Sequence, residues 1–119
     1  MKTILGVSLA ASMFLGTSAF AGPPQLEQRW VMDGFAAPEG VAEAPDGSYL
    51  ISNVSGGGSD FDGEGWISKV SADGDLIEKE WAAGLNAPKG MVVHDDVLYV
   101  ADIDRVRTYD APTGVPGRV

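Results

Sequence analysis

Cysteine is absent from the sequence, and His94 is its one histidine. Without thiols there are no disulfides, thiolate zinc sites, iron–sulfur clusters or cysteine nucleophiles, and one histidine excludes a multi-histidine metal centre. Basic side chains are also few, since 8 Lys and Arg stand against 17 Asp and Glu, for a net charge of −9. A phosphate backbone requires clustered positive charge, so this composition excludes nucleic acid as a partner.

Residues 1–21 have the pattern of a secretory signal peptide. Lys2 supplies the positive start, and the uncharged run Ile4–Gly16 is shorter than the roughly 20 residues of a spanning helix. Small residues stand at the −3 and −1 positions in Ala19-Phe20-Ala21. We therefore expect cleavage after Ala21, a periplasmic or secreted product of residues 22–119, and no membrane partner after cleavage. The lack of cysteine favours a periplasm.

The remaining chain repeats itself with a period of about 50 residues. The segment Phe35–Val41 matches Leu85–Met91, with Ala, Pro and Gly identical. The same gap-free offset gives three further matches: Asp46 with Asp96, Tyr49 with Tyr99, and Leu50 with Val100. Upstream, Trp30 aligns with Trp81. A period in this range is typical of solenoids and propellers.

Each unit is predicted to form short strands, because Gly and Pro interrupt the chain about every 10–12 residues. The predicted strands are Gly40–Ala44, Ser48–Val54, Trp66–Ser71 and Leu76–Ala82 in the first unit, and Met91–His94, Val97–Ile103 and Arg105–Asp110 in the second. The apolar run Val97–Ala101 favours a strand covered on both faces. The fold class is therefore all-β, and four strands per unit is the composition of a propeller blade. Blade one spans about residues 35–84 and blade two about 85–119.

The motifs in these strands resemble those of a known superfamily. They are Pro38-Glu39-Gly40-Val41, Pro45-Asp46-Gly47, Tyr49-Leu50-Ile51-Ser52-Asn53 and Leu98-Tyr99-Val100-Ala101-Asp102. Over residues 27–115 the chain resembles the six-bladed β-propeller superfamily of regucalcin, gluconolactonase, luciferin-regenerating enzyme and NHL-type repeats. The resemblance implies two blades of an incomplete six-bladed propeller, with residues 28–32 as the velcro strand that completes the last blade. Two explanations stay open: an N-terminal fragment of a longer protein, or three copies that assemble into a homotrimer.

Glu39 is the first candidate site residue. The resemblance implies a metal-binding glutamate in a Glu-Gly motif of the first blade, where Glu39-Gly40 stands. Carboxylate oxygen is a suitable ligand for a hard cation. The alternative is a solvated carboxylate at the start of a strand.

Lys89 occupies the same repeat position as Glu39. An ammonium group cannot ligate a metal and repels one nearby. Lys89 is therefore a candidate substrate contact, with a surface turn lysine as the alternative.

The loop between the second and third predicted strands carries Asp60, Asp62 and Glu64 before the apolar strand. This spacing matches the opening of a calcium loop, but Ser71 replaces its final glutamate. We expect weak metal binding here, with an acidic, solvated insertion as the alternative.

The resemblance therefore implies a metal-dependent lactone or ester hydrolase, of which this chain holds an incomplete and inactive portion. Its cofactor would be a divalent cation, calcium or zinc, with no organic cofactor, and its partner a small-molecule substrate. The alternative is a non-catalytic periplasmic propeller that binds a small molecule or a protein through its loops.

Overall fold

The computed structural model describes residues 21–117, which are all-β. A four-stranded antiparallel sheet comes first, with the order β1-β2-β3-β4, and a three-stranded sheet follows, with the order β5-β6-β7. The strands are β1 (Pro38–Glu43), β2 (Tyr49–Asn53), β3 (Gly65–Val70), β4 (Leu76–Leu85), β5 (Pro88–His94), β6 (Val97–Asp102) and β7 (Arg105–Asp110). All seven strands expected in the two units are confirmed. The predicted signal peptide, except for Ala21, lies outside the described residues.

Between residues 21 and 117 there is no helix of the length and apolarity needed to cross a membrane.

The two sheets share one pattern of pairing but differ in their first turn. The β1–β2 hairpin closes over Pro45-Asp46-Gly47, and Gly47 has a positive φ of 81°. The β5–β6 hairpin closes over Asp95 and Asp96 alone, whose φ values of 48° and 60° form a two-residue type I′ turn. The second hairpin is thus one residue shorter than the first.

This shorter turn changes the repeat alignment. Pro38 pairs with Asn53 in the first sheet, and Pro88 pairs with Asp102 in the second. Asn53 and Asp102 are therefore equivalent, at an offset of 49 from the second strand onward. The gap-free matches of Tyr49 with Tyr99 and of Leu50 with Val100 are wrong by one residue.

The hydrophobic core lies between the two sheets. We call the side of the first sheet that faces the second its front face, and the side of the second sheet that meets it the back face. The front face of the first sheet comprises Ala42, Leu50, Ser52, Ile67 and Ala82. The back face of the second sheet comprises Met91, Val93, Leu98, Val100 and Tyr109. Leu50, Ile67, Leu98 and Val100 are fully buried, so apolar burial holds the sheets together.

The front face of the second sheet is largely exposed, whereas the back face of the first sheet is exposed at Val41 but buried at Ser68 and Val70. β6 alternates between buried and exposed residues, so the expectation that Val97–Ala101 is covered on both faces is wrong for this chain. On the front face of the second sheet, Val92 is 57% and Val106 54% exposed, and on the back face of the first sheet Val41 is 64% exposed. Each exposed face corresponds by register to a face that the other sheet buries.

The two sheets approach each other closely at Gly40 in β1. A β-carbon on Gly40 would lie 2.5 Å from the carbonyl oxygen of Lys89 in β5, so only glycine fits. The Ser52 hydroxyl donates to the same Lys89 carbonyl at 2.8 Å and accepts from the Gly40 amide at 2.8 Å. This buried hydroxyl joins the first strands of the two sheets.

The two repeat-aligned tryptophans have equivalent contacts. Trp81 of β4 packs on Gly114, in the turn after β7, and Trp30 packs on Gly74, in the turn after β3. The Trp30 indole also donates to the Ala72 carbonyl at 3.0 Å. Trp30 therefore has the place that a fourth strand of a preceding sheet would have. Residues 28–32 form no ladder with the described residues, and their pairing with another blade stays a prediction.

Candidate functional site

One end of both sheets carries every candidate residue. This loop end contains the starts of β1, β3, β5 and β7 and the ends of β2, β4 and β6, because all pairings are antiparallel. The loop of residues 54–64 and the connection of residues 86–87 also lie there. Glu39 and Lys89 stand at the starts of β1 and β5, which are neighbours across the interface. The turns β1–β2, β3–β4 and β5–β6 are at the opposite end, whereas the two-residue turn between β6 and β7 lies at the loop end.

Glu39 is exposed at the start of β1. Its carboxylate makes no hydrogen bond or ion pair with any residue between 21 and 117. The free carboxylate retains its full capacity to accept hydrogen bonds or to ligate a cation. The structure leaves both sequence alternatives open, because ligand and solvated side chain have the same geometry here.

The ammonium of Lys89 bonds to the glycine-rich loop instead of projecting freely. Its Nζ donates to the Gly58 carbonyl oxygen at 2.5 Å. The contact ties the loop of the first sheet to the first strand of the second. Lys89 thus shapes the loop end, in addition to carrying a positive charge there.

The acidic loop has a second anchor on the connection between the sheets, because the Gly63 amide donates to the Asn86 side-chain oxygen at 3.1 Å. Within the loop, Asp60 accepts from the Gly57 amide at 3.0 Å, and Asp62 accepts from the Glu64 amide at 3.0 Å. These bonds define local turns. Across the described part of the chain, no three acidic or histidine side chains are close enough together to hold a metal. Asp60, Asp62 and Glu64 are thus near in sequence but not gathered as ligands.

Asp102 lies at the loop end and was not among the candidate residues from the sequence. Its carboxylate is fully buried. It accepts hydrogen bonds from the Asn86 amide at 3.0 Å, from the Ala87 amide at 2.8 Å and from Arg107 Nε at 2.7 Å. These three donors, one of them a guanidinium, compensate for burying the charge.

Asn53 accepts the equivalent backbone hydrogen bond in the first sheet. Its side-chain oxygen accepts from the Ala36 amide at 3.0 Å, and its amide nitrogen donates to Ser68 at 3.1 Å. Asn53 and Asp102 each fix the chain segment that leads into the first strand of their own sheet. They therefore position Glu39 and Lys89 without projecting toward solvent. A polar residue at the end of each second strand was the sequence signal for this pair.

A second ion pair of the loop end is exposed. Asp104 accepts from Arg105 Nε at 2.8 Å, and this hydrogen bond lowers the pKa of Asp104 below its ordinary value. At the opposite end, Asp46 accepts from Lys69 at 2.8 Å. That bond, with hydrogen bonds from Ser48, holds the pKa of Asp46 far below its ordinary value.

No protein-family model matches the sequence, and a search of curated proteins gives no match.

The geometry defines what the loop end can do chemically. It presents one free carboxylate, one lysine anchored to a loop and a short acidic segment, all supported by buried Asn53 and Asp102. The free carboxylate of Glu39 suits a hard cation or a hydrogen-bonding ligand. Among the described residues no serine bonds to His94, which ends β5 at the opposite end and pairs with Asp95.

Proposed function

We propose that this chain is an exported two-blade portion of a six-bladed β-propeller whose loop end forms the site of a metal-dependent lactone or ester hydrolase. The observation that carries the proposal is the free, exposed Glu39 carboxylate at the start of β1, beside the second sheet. Front-to-back stacking of two sheets with one pairing pattern supports the propeller. The N-terminal sequence supports export. Mass spectrometry of the product should find a chain that starts at Gly22, and an intact Met1 would contradict export.

Glu39 would be this chain's ligand to a divalent cation, calcium or zinc. Glu39 fits such a cation in its chemistry, because an unpaired carboxylate is a suitable ligand. The described residues do not supply enough further ligands, since no cluster of acidic or histidine side chains surrounds it. When bound, such a cation polarises a substrate carbonyl and lowers the pKa of a bound water. Lys89 would contact the substrate, and its bond to Gly58 keeps the loop in place beside it.

Calorimetric titration with Ca²⁺ and with Zn²⁺ tests the assignment of Glu39. The variant Glu39→Gln removes the charge with little change of shape and should abolish the heat of the site. The matched control is Glu43→Gln, at the opposite end of the same strand and also exposed. Equal heats for Glu39→Gln and the unaltered chain would contradict the assignment.

A non-catalytic propeller that binds a small anion is the second candidate. Lys89 favours it, because a cation stands at the repeat position equivalent to Glu39. Gluconate, the carboxylate that a lactonase would release, is a suitable probe. It should raise the melting temperature of the unaltered chain and of the control Lys79→Met, but not of Lys89→Met. The opposite pattern, or no shift at all, removes this candidate.

A further inference from the structure

The exposed front face of the second sheet is an apolar docking surface. It surrounds a shallow cavity of about 330 Å³ lined by Gly90, Met91, Val92, Tyr99, Ala101 and Val106. Every residue of the run Val97–Ala101 is apolar, although one side of that strand faces solvent. Such contiguous apolar surfaces mark interaction sites.

The interface inside the chain indicates what covers this surface. By register, Ala42, Leu50 and Ile67 on the front face of the first sheet correspond to Val92, Tyr99 and Val106 on the second. The first set is buried against the back face of a neighbouring sheet. The matching partner for the second set is therefore another back face of the same kind.

The back face of the first sheet corresponds by register to the back face of the second, and it is partly exposed. Its residues Val41, Tyr49 and Ile51 correspond to Met91, Leu98 and Val100, which the interface covers. The two sheets of residues 21–117 cannot bring this back face round to that front face, so the partner lies outside the described residues.

A second copy of this chain matches such a partner through its N-terminal segment. Trp30 lies on Gly74 as Trp81 lies on Gly114, so residues 28–32 stand where a preceding sheet would have its fourth strand. The second sheet lacks a fourth strand among the described residues. Residues 115–117 hydrogen-bond to β7 at Asp110 and Thr108. The rest of this edge of β7, Arg105–Arg107, can pair with a strand of another chain. A second copy thus offers both the missing face and the missing strand.

We propose that copies of this chain associate head to tail, the back face of one first sheet docking on the front face of the next second sheet, and close into a ring of three. Residues 28–32 of each copy pair with β7 of its neighbour. Ile67 pairs with Ala82 in the first sheet, and the equivalent cross-copy pair is Val106 with Val31, which are 54% and 70% exposed. The inference shares the propeller geometry of the proposed function but does not depend on its metal site. Heterologous contacts of this kind close when the rotation per copy divides a full turn.

Light scattering coupled to size exclusion, in the presence of a chelator, tests the contact apart from metal binding. The unaltered chain should elute as one species with three chain masses. Val106→Asp alters the front face and Val41→Asp the back face, and each variant alone should be a monomer. Phe61→Asp changes an exposed apolar residue of the loop, outside both faces, and should remain a trimer.

Mixing the two variants distinguishes the head-to-tail contact from a symmetric contact between two identical faces. Val41→Asp copies keep an intact front face, and Val106→Asp copies keep an intact back face, so an equimolar mixture should form a 1:1 dimer. A monomeric unaltered chain, or a mixture that stays monomeric, would overturn the proposal. Both altered residues are exposed, and circular dichroism should show native strand content for each. If one variant is unfolded, Val92→Asp or Gly90→Ala repeats the test on the front face.

Discussion

A β-carbon on Gly40 would lie 2.5 Å from the carbonyl oxygen of Lys89, whereas a β-carbon at the equivalent Gly90 would meet no atom within 4 Å. The two glycines occupy the same position in their sheets, inside the irregular stretch that precedes Val41 in β1 and Met91 in β5. They differ in what is stacked on them. Gly40 has the second sheet against it, and Gly90 has solvent. Comparing the two positions therefore shows the effect of a second sheet packed against the glycine.

We expect Gly40→Ala to destabilise the chain and Gly90→Ala to leave its stability almost unchanged. The added methyl at position 40 forces β1 away from β5, at a cost of about 1–3 kcal/mol. At position 90 the change should stay within about 0.5 kcal/mol. Urea unfolding at a concentration where the chain is monomeric measures both. Equal destabilisation of the two variants would contradict the close approach at Gly40.

Asp102→Ala should be the most destabilising single change at the loop end. It leaves Arg107 without its partner and two backbone amides without an acceptor, and breaking such a buried pair costs about 3–5 kcal/mol. Asp102→Asn should cost less, because Asn53 already accepts from the Ala36 amide at the equivalent position. Thermal and urea unfolding measure the stability of the two variants and show which is the more destabilised.

The control for Asp102 is Asp104→Asn, which removes an exposed partner of Arg105. Its unfolding curve should overlay that of the unaltered chain. If Asp104→Asn lowered the free energy of unfolding as much as Asp102→Ala does, the loss of charge, and not of a buried residue, would explain the destabilisation.

The Asp46–Lys69 pair should make stability depend on acid pH. The folded pKa of Asp46 is lowered, first by the Lys69 hydrogen bond, so the pair stabilises the fold fully above the ordinary value of 3.8. As the pH falls below that value toward the folded pKa, this contribution is lost. The Asp46 side chain is 58% exposed, so solvent screens the pair and the contribution should be under about 1 kcal/mol.

Urea unfolding at pH 7 and at pH 3 measures this dependence. In Asp46→Asn, the part of the pH dependence that comes from Asp46 should be absent. An unchanged difference between the two pH values in this variant would show that other carboxylates account for it.

Calcium should bind the acidic loop weakly, with a dissociation constant of about 10⁻⁴–10⁻³ M. Binding requires Asp60, Asp62 and Glu64 to leave their local turn geometry and converge, which limits the affinity. Calorimetry on Asp62→Ala should show the heat of the loop site lost and the heat assigned to Glu39 retained. Asp73→Ala, an exposed acid in the turn after β3, is the matched control and should bind as the unaltered chain does. Identical heats for Asp62→Ala and the unaltered chain would mean that the loop is merely solvated.

Much of the fold follows from local signals in the sequence. Pro45-Asp46-Gly47 and Asp73-Gly74 stop the strands, and alternating apolar residues between them define the sheet faces. The register of the second hairpin was predicted wrongly, because Asp96 seemed to match Asp46. The φ values of Asp95 and Asp96 show a shorter turn, which no propensity of aspartate would reveal by itself.

The site could be predicted only in part. Glu39 was selected through the resemblance of its Glu-Gly motif, and Lys89 through the repeat, since it occupies the equivalent position. The bond from Lys89 to Gly58 depends on the path of a glycine-rich loop, which has little local preference. Asp102 was not selected, because its donors, the amides of Asn86 and Ala87, are distant in sequence.

An experimentally determined structure of the purified protein, crystallised with calcium, tests the central claim most directly. That claim is that the two sheets are consecutive units of a ring whose loop ends form one site. The account predicts six sheets around an axis, with Val106 of one copy opposite Val31 of the next and Glu39 of every copy at the same end. A monomer with solvent over Val92 and Val106, or a dimer joined face to face by two identical surfaces, would contradict it.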